Sequence, residues 1–368
     1  MIVVSFYHLT LIVLYDNNKV CISRFYKIKK TREKGMEKEK ALLVIHPKAE
    51  RYVADVLPLL NERWETNTQV TAYAGHGIEL TNHALQQEYR WIIALGGDGT
   101  LNEVVNGAMD AQRECIVGVL PGGTVNQWGH EIGLPAYPIE AAHVLTTSVP
   151  RSVDIGFIGV QALTISDELF SQTETQGKLN ARHHFIIIAG LGVDAVTIQS
   201  TTESSKQHYG QLAFMVDWLQ ILPSIRPFSA QIDWSNKQSW QGQPWDILVS
   251  NTRRYANVTN FIPTAHVNDG LLDIRIFSLF SPEPGLLYPF QDSAFSMKLP
   301  ASVALEIDGS GMPLTDYLSE ENQERLLQVA DRSKVIVTYT FTCKPSALSM
   351  AIPKEYRGEL FHLEARNS

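Results

Sequence analysis

Cysteine is scarce in this chain: Cys21, Cys115 and Cys343 are the only three among 368 residues, and none stands in a C-x-x-C spacing. That scarcity excludes a disulfide-stapled scaffold and a thiolate zinc site, and it fits a reduced, cytoplasmic protein. Cys115 reads as a small buried apolar residue at a strand. No apolar run reaches the ~20 residues that a bilayer-spanning helix requires. Ile2–Tyr15 is apolar but shorter, and no basic segment precedes it, so it reads as neither signal peptide nor membrane span. Positive charge is not in excess either. With 31 Lys and Arg against 39 Asp and Glu, the net charge of -8 excludes a nucleic-acid binder that works by neutralising phosphates. Internal repeats and low-complexity tracts are lacking as well.

What is there is globular: 44% hydrophobic and 19% charged residues. The length, at ~150 residues per domain, predicts two domains. One stretch stands apart. Between Arg24 and Lys40, eight Lys or Arg face three Glu, a local charge near +5. Residues 1–40 are therefore expected to be an extension outside the core. They read as solvated chain without regular structure, or as sequence upstream of a start at Met36. A second reading is a basic patch on an anionic membrane surface, worth about 1 kcal/mol per basic residue close to it.

From Ala41 the pattern becomes regular. Ala41–Ile45 reads as a buried strand, Tyr52–Trp64 as a helix, Val70–Tyr73 as a strand, Leu80–Tyr89 as a helix and Trp91–Leu95 as a strand. Alternation of this kind predicts a parallel sheet within an α/β domain spanning 41–150. Beyond Pro150 the expected strands are short and closely spaced: Val153–Ile158, Phe185–Ala189, Ala230–Trp234, Trp245–Ser250, Leu272–Phe277, Ser302–Ile307 and Val335–Phe341. They predict a β-sandwich-like domain over 151–343, with one helix near Gln211–Leu222 and a polar helical insertion at Asp316–Lys334.

Two loops carry the chemistry. Trp91–Leu95 delivers Gly96-Gly97-Asp98-Gly99-Thr100, and Leu101, Val104, Val105 and Ala108 then follow at helical spacing. Thr100 and Glu103 fit a capping box opening that helix. Ile116–Leu120 leads in the same way to Pro121-Gly122-Gly123, where Thr124 and Gln127 fit a second capping box. Glycine lets backbone approach an anion closely, and a helix N-terminus supplies free N–H groups. Either loop alone is also compatible with a plain βα turn, but two at neighbouring strand ends predict a nucleotide pocket.

The stretch Gly96–Gly107 resembles the signature of the diacylglycerol kinase catalytic family, including its bacterial lipid kinase and sphingosine kinase-like branches. Leu120–Asn126 with Ile132-Gly133-Leu134-Pro135 is similar to that family's second nucleotide motif. Further matches follow in family order: Ala189–Ala195, Asn251–Tyr255, Asp269–Asp273 and Ile307–Gly309. The resemblance implies an α/β N-terminal domain with a parallel sheet, phosphofructokinase/NAD kinase-like, plus a β-sandwich-like C-terminal domain, with residues 344–368 packing back on the first. It implies an ATP- and Mg2+-dependent transfer to a lipid hydroxyl of diacylglycerol or sphingoid/ceramide type. The enzyme would be cytoplasmic or peripheral on the inner membrane face, able to form a homodimer, and without a nucleic-acid partner.

Carried over residue by residue, Gly96, Gly97, Asp98, Gly99, Thr100, Glu103, Gly123, Thr124 and Asn126 hold ATP, with Asp98 acting through Mg2+ or a water on it. Thr71 is the nucleotide-side threonine, or else a buried strand threonine. His76 reads as a surface loop residue. The first strand ends at His46-Pro47, where the family has Asn-Pro. Asp308 is the general base, with an aspartate opening a turn as the rival reading. Asp269 is the side-chain ligand of a structural divalent ion beside the carbonyls of Leu271 and His266, or part of a simple Asp-Gly turn. Asn251, Arg253 and Arg254 shape the interdomain cleft, or the arginines are simply solvent-exposed. Leu286–Phe290 is a lipid entrance or a loop beneath the sandwich. Ser310 stands where the family has Glu and supplies no negative charge, which opens the reading of a non-catalytic lipid or nucleotide sensor. NAD kinases share the first glycine loop and form the other alternative, but the second motif, Gly123–Asn126, fits lipid kinases.

Overall fold

The computed structural model describes residues 2–6, 9–16, 19–26, 38–165, 168–172, 183–192, 226–255, 261–278 and 287–362. Residues 1–38 and 39–368 are separate compact units. In the first, β1 (Ile2–Phe6), β2 (Leu9–Asp16) and β3 (Lys19–Tyr26) form an antiparallel meander. The sequence reading gave this stretch no regular structure, whereas its runs of Val, Ile and Thr are strand formers.

The second unit begins with β4 (Lys40–Ile45), α1 (Val53–Arg63), β5 (Glu65–Val70), α2 (His76–Gln86), β6 (Trp91–Gly96), α3 (Asp98–Ala111) and β7 (Ile116–Pro121). The strands are parallel in the order β7-β6-β4-β5. β6 and β7 are buried at every position and β4 from Ala41 onward, as expected when helices cover both faces of a parallel sheet. β5 is the edge strand. Its sequence Glu-Thr-Asn-Thr-Gln-Val is largely exposed, so it lacks the apolar signal that placed the expected strand at Val70–Tyr73. Two further helices, α4 (Gln127–Glu131) and α5 (Pro138–Leu145), complete this layer.

β8 (Val149–Ile165) is far longer than the expected Val153–Ile158, and it pairs antiparallel with the final strand β20 (Val335–Ile352) along its length. Near its end β20 also pairs in parallel with β7, at Ser349 and Met350. One 11-stranded sheet therefore passes from the α/β layer into the second domain. Its remaining strands are β9 (Glu168–Gln172), β10 (His184–Phe185), β12 (Ala230–Trp234), β13 (Ser239–Gly242) and β17 (Ala294–Pro300). Against it packs an antiparallel six-stranded sheet, ordered β16-β15-β14-β11-β18-β19. These strands are β11 (Ile188–Gly192), β14 (Asp246–Ser250), β15 (Leu272–Phe277), β16 (Leu287–Asp292), β18 (Leu305–Ile307) and β19 (Ser310–Met312). Ile158, Val337 and Phe341 from the first sheet meet Leu191, Ile247 and Ile274 from the second in one core, so the domain is a β-sandwich.

One expectation changes here. Leu287–Phe290 belongs to edge strand β16 rather than to a loop, and Leu286 lies outside the described residues. The segment at 316–334 holds one helix, α6 (Glu320–Gln328), started by Ser319 accepting the Asn322 N–H. It is less polar in place than in sequence, because Tyr317 and Leu326 are buried in the sandwich core. The helix expected at Gln211–Leu222 lies outside the described residues. Among the described residues no helix is long and apolar enough to cross a membrane.

Gly156 of β8 lies opposite the fully buried Phe185, and a Cβ there would overlap the phenyl ring. Gly156→Ala is expected to cost about 1–3 kcal/mol through overpacking. A thermal melt reads this directly, and an unchanged Tm would mean the ring has room to move.

Candidate active site

In the order β7-β6-β4-β5, the connections after β4 and β6 leave toward opposite faces: α1 packs with α5, while α2 packs with α3. The crevice at the carboxyl ends of such a switch point is where open α/β sheets bind ligands. A cavity of about 900 Å³ opens there. Each strand contributes to its wall: Lys48 and Arg51 after β4, Thr71 and Tyr73 after β5, Gly97 and Thr100 after β6, Gly123 and Thr124 after β7. Ser310 reaches it from the sandwich.

The two glycine loops touch through backbone. A Cβ on Gly123 would stand 2.5 Å from the Gly97 Cα, and Gly122 donates its N–H to the Gly96 carbonyl at 2.8 Å. The helix starts differ from the predicted capping boxes. Gly97 is the N-cap of α3, and its carbonyl accepts from Thr100 and Leu101. Glu103 is drawn elsewhere. Its Oε1 and Oε2 accept the Gly75 and Gly77 N–H groups, both at 2.9 Å, and so cap α2 from 28 and 26 residues away. This starts α2 at His76, ahead of the expected Leu80.

Asp98 performs the same service for α4. Its Oδ2 accepts the Gln127 N–H at 2.9 Å and its Oδ1 the Trp128 N–H at 3.2 Å. Burial pushes this carboxyl above its ordinary range while the amide donors pull the other way. Each carboxylate oxygen thus accepts one amide N–H, which fixes the orientation of Asp98 beneath the loop. Asn126, with φ 52°, folds its side chain back on Gly123, accepting its N–H and donating to its carbonyl, both at 2.9 Å. Of the residues expected to hold the nucleotide, Thr71, Gly97, Gly99, Thr100, Glu103, Gly123 and Thr124 line the cavity. Gly96, Asp98 and Asn126 are not in its lining and shape the loops instead. Lys48, Arg51 and Tyr73 were missed, although the switch-point rule alone points to the loops after β4 and β5.

Asp308 and Gly309, with φ 47° and 78°, form the two-residue turn between β18 and β19. The Asp308 carboxylate is buried and accepts four hydrogen bonds: from Ile186 N–H at 3.0 Å, Ile187 N–H at 3.0 Å, Ile188 N–H at 2.9 Å and Asn102 Nδ2 at 2.8 Å. Burial outweighs these donors and pushes it up to about 6. Asp308 therefore ties the hairpin to residues 186–188 and to α3, while Ser310, just past the turn, faces the cavity. One turn further along α3, Asn106 accepts the His183 and His184 N–H groups at 3.1 and 2.9 Å. Neither asparagine was singled out from sequence; the signal was a polar pair at i, i+4 among the buried positions of the helix.

In the loop at 266–273, Asp269 meets the Leu271 amide and the His266 imidazole rather than a carbonyl. Asp269 Oδ1 accepts the Leu271 N–H at 3.0 Å, and its Oδ2 lies 3.8 Å from His266 Nδ1. Burial raises the Asp269 carboxyl. Asp154, unnoticed in the sequence, holds the loop to β20 by accepting the Gly270 N–H at 2.6 Å and the Ser346 N–H at 2.7 Å. Among the described residues no three His, Cys, Asp or Glu converge on a metal position. One carboxylate with carbonyls and water is a donor set that suits a hard divalent cation. Asn251 donates to the Asp154 and Ile186 carbonyls, and Arg253 pairs with Glu359 at 2.7 Å. Arg254 donates its N–H to Glu131, and its carbonyl accepts from Gln127 Nε2. A second cavity, about 1060 Å³, lies beside these arginines, α4 and the segment 353–360.

A model of the diacylglycerol kinase catalytic domain matches residues 40–158, and one of the YegS C-terminal NAD kinase beta sandwich-like domain matches 187–282. A diacylglycerol kinase of Bacillus subtilis is 31% identical over 228 residues, 61% of this chain and 68% of its own length. The chain belongs to the diacylglycerol kinase catalytic family. A YegS-like lipid kinase of Pseudomonas putida is 30% identical over 244 residues, covering 66% of this chain and 75% of its own length. Across the diacylglycerol kinase relatives the matched stretch spans 60 to 68% of their length. A solved diacylglycerol kinase from Bacillus anthracis aligns over 88% of this chain and 100% of its own, with a TM-score of 0.61 at 16% identity, and shares the fold. Family membership makes the chain a phosphotransferase of the kinase type.

Asp308→Asn turns an N–H donor toward backbone N–H groups and is expected to destabilise the protein by about 1–3 kcal/mol near neutral pH. The sign of the pH effect follows from the raised carboxyl. Between its ordinary 3.8 and about 6, the native chain holds this proton more tightly than the unfolded chain. The parent therefore loses stability as pH rises through that window, and its advantage over the variant narrows. Denaturant midpoints at both ends of the window test this; an advantage that widens with pH would contradict the assignment.

Proposed function

We propose that this kinase transfers the γ-phosphoryl group of ATP to the hydroxyl of a lipid of diacylglycerol or sphingoid/ceramide type, working from the cytoplasm at the inner membrane face. The observation that carries the reading is the backbone contact between two glycine loops at the sheet's switch point, beneath a cavity of about 900 Å³. The close-approaching backbone of Gly97, Gly99 and Thr124, with the N-terminal end of α3, suits a triphosphate, and Lys48 and Arg51 add positive charge at the wall. Phosphoryl transfer is mostly positioning and charge neutralisation, which is what such a wall supplies.

Mg2+ bound with ATP would supply further neutralisation of phosphate charge. Asp98 serves it indirectly, by fixing the loop that meets the phosphates. Asp269, with the carbonyls of Leu271 and His266, would hold a second, structural divalent ion. Asp308, turned inward on four donors, positions the hairpin that presents Ser310 to the reacting groups. A non-catalytic sensor is the second reading, favoured by the uncharged Ser310 at the cavity.

Incubation with γ-labelled ATP and a panel of diacylglycerols, sphingoid bases and ceramides tests the reading, because it reports activity and acceptor together. Label is expected in one lipid class, and Ser310→Glu, which puts a carboxylate at the cavity wall where it can act as general base, is expected to raise turnover at least several-fold, since a positioned general base contributes ~10² to 10⁴. No labelled lipid with either protein would favour the sensor. Asp98→Ala is expected to lose ATP-dependent thermal stabilisation, which for the parent is about 2.7 kcal/mol at 100 times the dissociation constant. An unchanged ATP-induced shift in this variant would remove Asp98 from the site.

A further inference from the structure

Tyr73 is 55% exposed, and among the residues lining the cavity it is the one Tyr, Phe or Trp. An aromatic ring left in water usually has many rotamers open to it. This one is held. Its ring stacks on His76 with centroids 4.6 Å apart and planes 16° from parallel, and its hydroxyl donates to Glu79 Oε2 at 2.7 Å. The imidazole beneath is fixed in turn, because His76 Nδ1 accepts the Ala72 N–H at 3.0 Å. His76 and Glu79 both lie in the first turn of α2, whose start is clamped by Glu103. The ring is therefore pre-set before any ligand arrives, so little side-chain entropy remains to be lost on binding.

The phosphate-binding features of the cavity are all backbone or cationic, and none of them reads a base. Tyr73 has the chemistry they lack. We propose that Tyr73, braced by His76 and Glu79, is the stacking platform for the nucleotide base and gives the site its preference for a purine nucleoside triphosphate. This inference rests on the ATP reading given above. Aromatic stacking tolerates every base but favours the larger purine surface.

Calorimetric titration of the parent, Tyr73→Ala and Tyr73→Phe with ATP, CTP and inorganic tripolyphosphate separates base from phosphate. Tyr73→Ala is expected to weaken ATP roughly 10- to 100-fold, to leave tripolyphosphate unchanged and to erase the preference for ATP over CTP. Tyr73→Phe keeps the ring on His76 and is expected to keep that preference. ATP affinity unchanged in Tyr73→Ala overturns the platform, as does an equal loss for ATP and tripolyphosphate, which would show that the ring merely supports the loop. A parent that binds tripolyphosphate as tightly as ATP overturns the platform and leaves the phosphate site standing. A parent that binds neither ATP nor tripolyphosphate overturns the nucleotide reading itself, and the platform with it.

Discussion

A carboxylate buried against backbone N–H groups is the interaction on which this architecture depends. Asp98 fastens α4, and the same device recurs with a different partner each time: Glu103 on α2, Glu131 on Arg254, Asp154 on Gly270 and Ser346, Asp308 on residues 186–188. Burying a charge is costly unless donors surround it, and helix N-termini supply donors together with a favourable dipole. Each acid therefore joins two segments remote in sequence. Loss of one leaves amides unsatisfied on the far segment.

This pattern explains which parts of the site were legible in the sequence. Gly97 and Gly123 could be read because loop contact imposes a local demand, the absence of a side chain, that glycine announces. The strands β4, β6 and β7 could be read because both their faces are covered and their sequences are continuously apolar. The roles of Asp98, Glu103 and Asp308 could not. Each was recognised as important, but its partner is fixed by tertiary geometry, up to 206 residues away for Asp308 and Asn102. Local capping rules therefore assigned Thr100–Glu103 to the start of α3, where Gly97 is the N-cap, and Thr124–Gln127 to that of α4, which Asp98 caps. The edge strand β5 was displaced for a related reason: exposure removes the apolar signal on which strand recognition relies.

The family resemblance and the physical reading meet at the turn after β18. Motif order drew attention to Asp308, and the geometry shows a carboxylate facing inward with Ser310 facing the cavity. A residue two positions from a motif centre thus occupies the chemically exposed place. Substituting serine there changes the electrostatics of the cavity without disturbing the clamp that forms the turn.

The paired strands β8 and β20 carry a mechanical consequence. Two hydrogen-bonded strands resist sliding past each other, because any slip breaks the whole ladder at once. The ladder is interrupted between Lys344 and Leu348, where Ser346 adopts φ 49° and Asp154 grips its N–H. A second irregularity lies between Thr338 and Tyr339. The β8–β20 ribbon is in effect a leaf spring whose pairing lapses at two points, and at the one nearer the α/β layer the Asp154 clamp stands in for the missing ladder bonds.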